Sequence, residues 1–261
     1  GQADLEPTTL ARTRLAYDEL LANQVALALV RARWRRLPGR RIAAAGRLRR
    51  EAIARLPYRL TGAQDRALSE IVGEMASEGR MLRLLQGDVG SGKTVVAFLA
   101  MLDAVEIGAQ AALMAPTEIL ARQHFATIAP LAEAAGIGVA LVTGRDRSAE
   151  RRAAIEGLKS GAVAMAVGTH ALFQEEVEFR DLAFAVIDEQ HRFGVHQRLA
   201  LTAKGQAINV LVMTATPIPR TLMMTSFGDL EVSRLTEKPP GRRPIDTRAI
   251  PLERLAEIVD R

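Results

Sequence analysis

The chain has 261 residues, 48% of them hydrophobic, enough for a packed core arranged as one or two domains. It contains no cysteine, which excludes disulfides and thiolate metal sites and fits a cytosolic protein, and no apolar run reaches the ~20 residues of a membrane span. The net charge of +5 is unevenly placed: residues 1–60 hold 13 Arg against 5 Asp or Glu, a net of +8, so the remainder sums to −3.

A basic N-terminal quarter on a near-neutral remainder points to a polyanionic partner. Gly1-Gln2-Ala3-Asp4 lacks the charged-then-apolar start of a secretory leader, so none is expected. Leu10 to Arg36 reads as one long helix, with Leu10, Tyr17, Leu20, Leu21, Ala28 and Val30 on a broad apolar face and Pro38-Gly39 ending it. A second helix is expected up to Leu56, where Pro57 stops it. Between Arg31 and Arg50 there are nine arginines and no acid. Arg35 and Arg36 are candidate contacts to a nucleic-acid backbone, with a solvated arginine face as the plain alternative. Trp34, the only tryptophan, suits an anchor to a neighbouring domain better than a base-stacking platform.

From Tyr58 onward helical segments alternate with apolar runs. The expected strands are Leu82–Leu85, Ala111–Ala115, Gly138–Val142, Val163–Val167, Phe184–Ile187 and Val210–Thr214, and the clearest helices between them are Glu118–Ala135 and Ala149–Lys159. Continuous apolar strands joined by helical crossovers mean an α/β fold with a parallel sheet covered on both faces. Such sheets bind ligands at the carboxyl ends of their strands.

At one such end stands Gly87-Asp88-Val89-Gly90-Ser91-Gly92-Lys93-Thr94, between a strand ending near Leu85 and a helix from Val95 to Ile107. It fits G-x-x-x-x-G-K-[ST], a loop whose backbone N–H groups and following helix N-terminus cradle phosphate. Lys93 is expected to reach the β- and γ-phosphates of ATP, and the Thr94 hydroxyl to ligate Mg²⁺. A second apolar run, Ala183 to Ile187, leads into Asp188-Glu189-Gln190-His191. Asp188 then holds the metal, and Glu189 orients and deprotonates the attacking water.

These stretches resemble the superfamily 2 helicases and nucleic-acid translocases. Asp188-Glu189-Gln190-His191 is similar to their D-E-x-H motif, and Leu60-Thr61-Gly62-Ala63-Gln64 to the motif whose glutamine reads adenine. Ala115 to Gln123 resembles motif Ia, Gly168-Thr169-His170 motif Ib, and Thr214-Ala215-Thr216 motif III. Within the superfamily, Gln86 to Thr94, Asp188 to Arg198 and Thr214 to Thr221 look most like the RecG family, bacterial double-stranded DNA translocases that remodel stalled forks. The Mfd family is the neighbouring alternative, differing at the positions of Gln190 and Ser91, and an RNA helicase is a more distant one.

The resemblance implies a RecA-like fold, ATP and Mg²⁺ as cofactors, and roles for residues that spacing alone does not assign. Gln64 contacts adenine. Thr117, Arg122, Thr169 and His170 face DNA, while Thr214, Thr216 and His191 couple hydrolysis to movement. His124 and His196 are as well read as structural histidines. The implied partner is branched or forked DNA, with single-strand-binding protein as a further one, for a monomer in the bacterial cytoplasm near the nucleoid and away from membranes. Nothing after Thr216 resembles motifs IV to VI. Residues 1–57 are therefore expected to be a helical connector between a wedge and the motor. Residues 58–235 are the first RecA-like lobe, and 236–261 a linker with the start of a second lobe. By itself such a chain binds nucleotide and DNA but scarcely turns over.

Overall fold

Seven short runs, most of them apolar, become strands of one sheet in the computed structural model, which describes residues 9–36, 39–144, 149–188, 207–216, 231–237 and 251. Within the first helix the side chains of 30–36 and of Asn23, Leu27 and Ala28 lie outside that description. The strands are β1 (Leu82–Gly87), β2 (Gln110–Met114), β3 (Val139–Val142), β4 (Met165–Gly168), β5 (Leu182–Asp188), β6 (Asn209–Thr214) and β7 (Glu231–Leu235). Every pairing among them is parallel, in the order β3-β4-β2-β5-β6-β1-β7. The central strands β2, β4, β5 and β6 are buried along their whole length, as a sheet covered on both faces requires. The six expected strands are all present, shifted at their ends by one or two residues.

Six α-helices accompany the sheet among the described residues: α1 (Leu10–Arg36), α2 (Arg47–Arg55), α3 (Gly62–Met75), α4 (Lys93–Glu106), α5 (Glu118–Glu133) and α6 (Ala149–Ser160). One apolar layer joins α2, α3, α4 and α5 to one sheet face through Ile71, Phe98, Met101 and Phe184. The other face packs Leu84, Ala185 and Ile187 against Leu158 of α6 and the segment from Ala171 to Val177. Helix α4 is apolar around its circumference except for Asp103, and every residue from Val95 to Ala104 is buried. That makes it the central rod of the first layer, with the phosphate loop at its N-terminal end.

Two elements were not expected. Helix α3 begins with a capping box: Thr61 Oγ1 accepts from the Gln64 N–H at 3.2 Å, and Gln64 Oε1 accepts from the Thr61 N–H at 2.9 Å. Strand β7 is an edge strand beside β1, with alternate residues Ser233 and Leu235 buried.

The basic segment after α1 docks onto the sheet rather than standing in solvent. Arg40 pairs through both terminal nitrogens with Asp181, and its carbonyl accepts from Asn209 Nδ2 at 2.8 Å. Arg41 Nε donates to the Ala76 carbonyl at 3.0 Å. The N-terminus of α2 is capped from another helix, since the Leu48 N–H donates to Glu106 Oε2 at 2.8 Å. Of the five arginines from Arg40 to Arg50, Arg40 and Arg49 meet acids far along the chain, Asp181 and Asp103. On α1 the expected apolar face is open: Leu10, Tyr17 and Leu20 are all more than half exposed.

Candidate nucleotide-binding site

Because all strands run in parallel, the ends of β1, β6, β5, β2 and β4 meet along one edge of the sheet. This gathers Gly87, Thr214, Asp188, Ala115 and Gly168, each the start of a stretch singled out by the sequence. Strand β6 lies between β1 and β5, pairing Gln86 with Thr214 and Met213 with Asp188.

The phosphate loop turns on glycines in left-handed backbone, Gly90 at φ 76° and Gly92 at φ 88°. A side chain at Gly92 would also run into the carboxamide of Gln64. That carboxamide is buried and braces the loop, its Nε2 donating to the Ser91 carbonyl at 2.8 Å. The residue assigned by resemblance to adenine therefore sits, in this structure, beneath the phosphate loop. Lys93 Nζ donates to the carbonyls of Gly87 at 2.6 Å and Asp88 at 3.1 Å. Its ammonium thus lies over the loop, where a polyphosphate would compete with carbonyl oxygens for it. Ser91 Oγ is buried without a hydrogen-bond partner among the described residues, a donor left over inside the cradle.

Asp188 closes β5 with its side chain only 10% exposed. His124 Nε2 lies 2.7 Å from Asp188 Oδ2, and the other ring nitrogen, Nδ1, lies 3.5 Å from Thr94 Oγ1. One imidazole on α5 thereby joins the two residues expected to ligate the metal. Sequence alone divides His124 between a role and plain structure. A usable signal was there: Ala121 and Ile128, three residues before and four after, are buried, which puts His124 towards the inward side of the helix. A polar ring near that side needs partners.

Beyond β6 the two threonines hold each other, Thr214 Oγ1 lying 2.9 Å from Thr216 Oγ1, and the Thr216 carbonyl accepts from Gln86 Nε2 at 3.2 Å. Motif III is in this way stitched to the strand that enters the phosphate loop.

Comparison with known proteins agrees with this arrangement. The family model for DEAD/DEAH box helicases matches residues 61–225. The chain belongs to the DEAD/DEAH box helicase family. It is 49% identical over 255 residues to the ATP-dependent DNA helicase RecG of Escherichia coli K12, and 47% identical over 250 residues to that of Thermotoga maritima. Those matches cover 96% of this chain but 37% and 32% of the relatives, so the chain spans about a third of their length. Among solved structures, RecG bound to a three-way DNA junction superposes with a TM-score of 0.81 at 44% identity, covering 96% of this chain and 34% of that one. A hypothetical ATP-dependent RNA helicase from Sulfolobus tokodaii, 17% identical with a TM-score of 0.53 over 72% of this chain and 56% of its own, shares the fold.

The residues that the sequence leads one to expect on the DNA side follow β2 and β4. Thr117 is exposed and caps α5, its Oγ1 accepting from the Leu120 N–H at 3.3 Å. Arg122, half exposed, pairs with Glu118 one turn back at 2.8 Å. Thr169 is buried and its hydroxyl accepts from the Ala171 N–H at 3.4 Å, whereas the adjacent His170 is exposed. The structure thus sets Thr117, Arg122 and His170 on the surface and keeps Thr169 as a local cap. Glu189, His191 and His196 lie outside the described residues, as do the side chains of Trp34, Arg35 and Arg36. No described helix is long and apolar enough to cross a membrane.

Proposed function

We propose that this chain is the nucleotide-binding first motor lobe of a RecG-type translocase, which uses ATP to move on double-stranded DNA and remodel stalled forks and branched recombination intermediates. The observation that carries this reading is the likeness, over 96% of the chain, to a RecG solved on a three-way DNA junction. In the same reading residues 1–57 are a connector, 58–235 the lobe, and 236–261 lead to a second lobe. Branched DNA is the main partner, with single-strand-binding protein a further one, for a monomer in the bacterial cytoplasm near the nucleoid.

The loop Gly87–Thr94 binds the phosphates of ATP, with Lys93 leaving the Gly87 and Asp88 carbonyls for the β- and γ-phosphate oxygens. Thr94 and Asp188 offer a hydroxyl and a carboxylate on either side of His124, an all-oxygen pair. Mg²⁺ suits such a pair, since it takes one or two protein ligands and completes its shell with phosphate and water. Bound there, Mg²⁺ would neutralise charge on the β- and γ-phosphates. Glu189 orients the attacking water and accepts its proton, and Gln64 holds the loop in register. His191, Thr214 and Thr216 pass the change at the nucleotide to the DNA face formed by Thr117, Arg122 and His170, with Arg35 and Arg36 adding phosphate contacts.

Charge developing on the γ-phosphate calls for an arginine from a facing lobe, a contribution of ~10³–10⁵ in rate, or roughly 4–7 kcal/mol of barrier. Phosphate release by this chain should therefore be slow and insensitive to forked DNA. A longer protein carrying the second lobe should be fast and DNA-stimulated, and Glu189→Gln in it should stop turnover while ATP stays bound. Robust DNA-stimulated turnover by the 261-residue chain would contradict the proposal.

A further inference from the structure

Helix α5 and its cap present two kinds of residue within eight positions. Thr117 and Arg122 face outward, and His124 reaches inward to the end of β5 and the start of α4. The ring makes its two contacts through different nitrogens. The shorter contact, at 2.7 Å, pairs Nε2 with Asp188 Oδ2, and a carboxylate there accepts from a ring N–H. Nδ1, on the other side of the ring, faces the Thr94 hydroxyl at 3.5 Å. With Nδ1 as acceptor, that hydroxyl gives its hydrogen to the ring and keeps its lone pairs for the opposite side.

We infer that His124 is the positioning residue of the metal site: it holds one oxygen of Asp188 and faces the hydroxyl of Thr94, and so sets the orientation of the two side chains that would hold one Mg²⁺. The inference rests on the reading of Thr94 and Asp188 as metal ligands. Outer partners that orient first ligands in this way are commonly worth 10–100-fold in metal affinity. The ring also ties the site to α5, the helix that bears Arg122 and is capped by Thr117. A shift of α5 when DNA is bound would move the ring and both ligands together.

Three variants separate the contacts. His124→Ala removes both. His124→Gln can place an amide N–H near the position of Nε2 and keep the donor to Asp188. His124→Asn can place a carbonyl near Nδ1 and keep the acceptor for Thr94. Binding of a fluorescent ATP analogue is titrated with Mg²⁺ for each, and repeated in EDTA, with far-ultraviolet circular dichroism to check the fold. The Mg²⁺ concentration for half-maximal tight binding should rise at least tenfold in His124→Ala. His124→Gln should recover most of that rise, because it keeps the shorter contact, and His124→Asn should recover less. Affinity in EDTA should stay at the parent's level throughout, which a merely structural loss would not allow. An unchanged Mg²⁺ requirement in folded His124→Ala, or an equal loss in EDTA, overturns the inference alone. A parent chain whose nucleotide binding ignores Mg²⁺ overturns the metal reading of Thr94 and Asp188 and the inference with it. If His124→Ala does not fold, the comparison of the Gln and Asn variants decides: the inference expects Gln to need less Mg²⁺ than Asn, and equality overturns it.

Discussion

The rod-like α4 carries one acid in its buried length, Asp103, and that acid sets up a measurable pH dependence. Burial pushes its carboxyl from 3.8 up to about 6, against the opposing pull of Arg49 and Arg50 and with a further push from Glu106. Arg49 Nε lies 3.3 Å from Asp103 Oδ1, yet neither atom is aligned for a hydrogen bond, so the pair is a Coulombic contact only. A rise of that size corresponds to about 3 kcal/mol in favour of the neutral form. The folded chain holds this proton more tightly than the unfolded chain does. Its contribution to stability is therefore greatest below about pH 4, shrinks as pH rises towards 6, and is a full penalty above 6. Asp103→Asn keeps the shape and removes the charge. The variant should be more stable than the parent at about pH 7.5 by ~1–3 kcal/mol, the lower figure allowing for a buried amide and an Arg49 without its counter-charge. The gap should close as pH falls towards about 4. Urea unfolding of both proteins at several pH values measures it, and the difference between them cancels every other titrating group. An Asn variant less stable than the parent by more than about 1 kcal/mol at neutral pH would refute the reasoning and show the Arg49 contact to outweigh burial.

Three other perturbations follow from the same structure. Gly92→Ala puts a side chain at φ 88° and against the Gln64 carboxamide, so nucleotide affinity should fall at least tenfold by fluorescence titration while the melting temperature drops only a few degrees. Arg40→Glu faces Asp181 with a like charge. It should lower stability by about 1 kcal/mol in urea unfolding, since the pair is part-exposed, and leave the salt dependence of DNA binding as it was. Charge reversal at Arg35 and Arg36 should instead flatten that dependence, by about 0.9 in the log–log slope for each phosphate no longer neutralised.

What the sequence revealed about the fold depended on how far each signal was local. The phosphate loop was legible because its glycines, Lys93 and Thr94 are contiguous, and Asp188 because it ends a run of buried residues from Leu182. Helix α3 carries a local start signal, the capping box of Thr61 and Gln64, in residues that also resemble an adenine-reading motif. Strand β7 has few large apolar residues. Its buried Ser233 is satisfied through Arg83 and Glu70, 150 and 163 residues away in the chain, so its pairing with β1 is written in distant positions. For the arginines from Arg40 to Arg50, charge alone cannot show a partner. Asp181 and Asp103, which take up Arg40 and Arg49, lie far downstream. His124 needed both limits overcome, since Thr94 and Asp188 lie 30 and 64 residues to either side.

The central claim, that Gly87–Thr94 is a working nucleotide site, is tested most directly by calorimetric titration of Mg²⁺ and ADP into the parent chain and into Lys93→Ala. Lys93 reaches over the loop carbonyls and is the cation poised for the phosphates. The account predicts one bound nucleotide per parent chain and an affinity at least tenfold weaker, or undetectable, in Lys93→Ala with its fold intact. Equal affinity in the two proteins, or no binding by the folded parent, would contradict it.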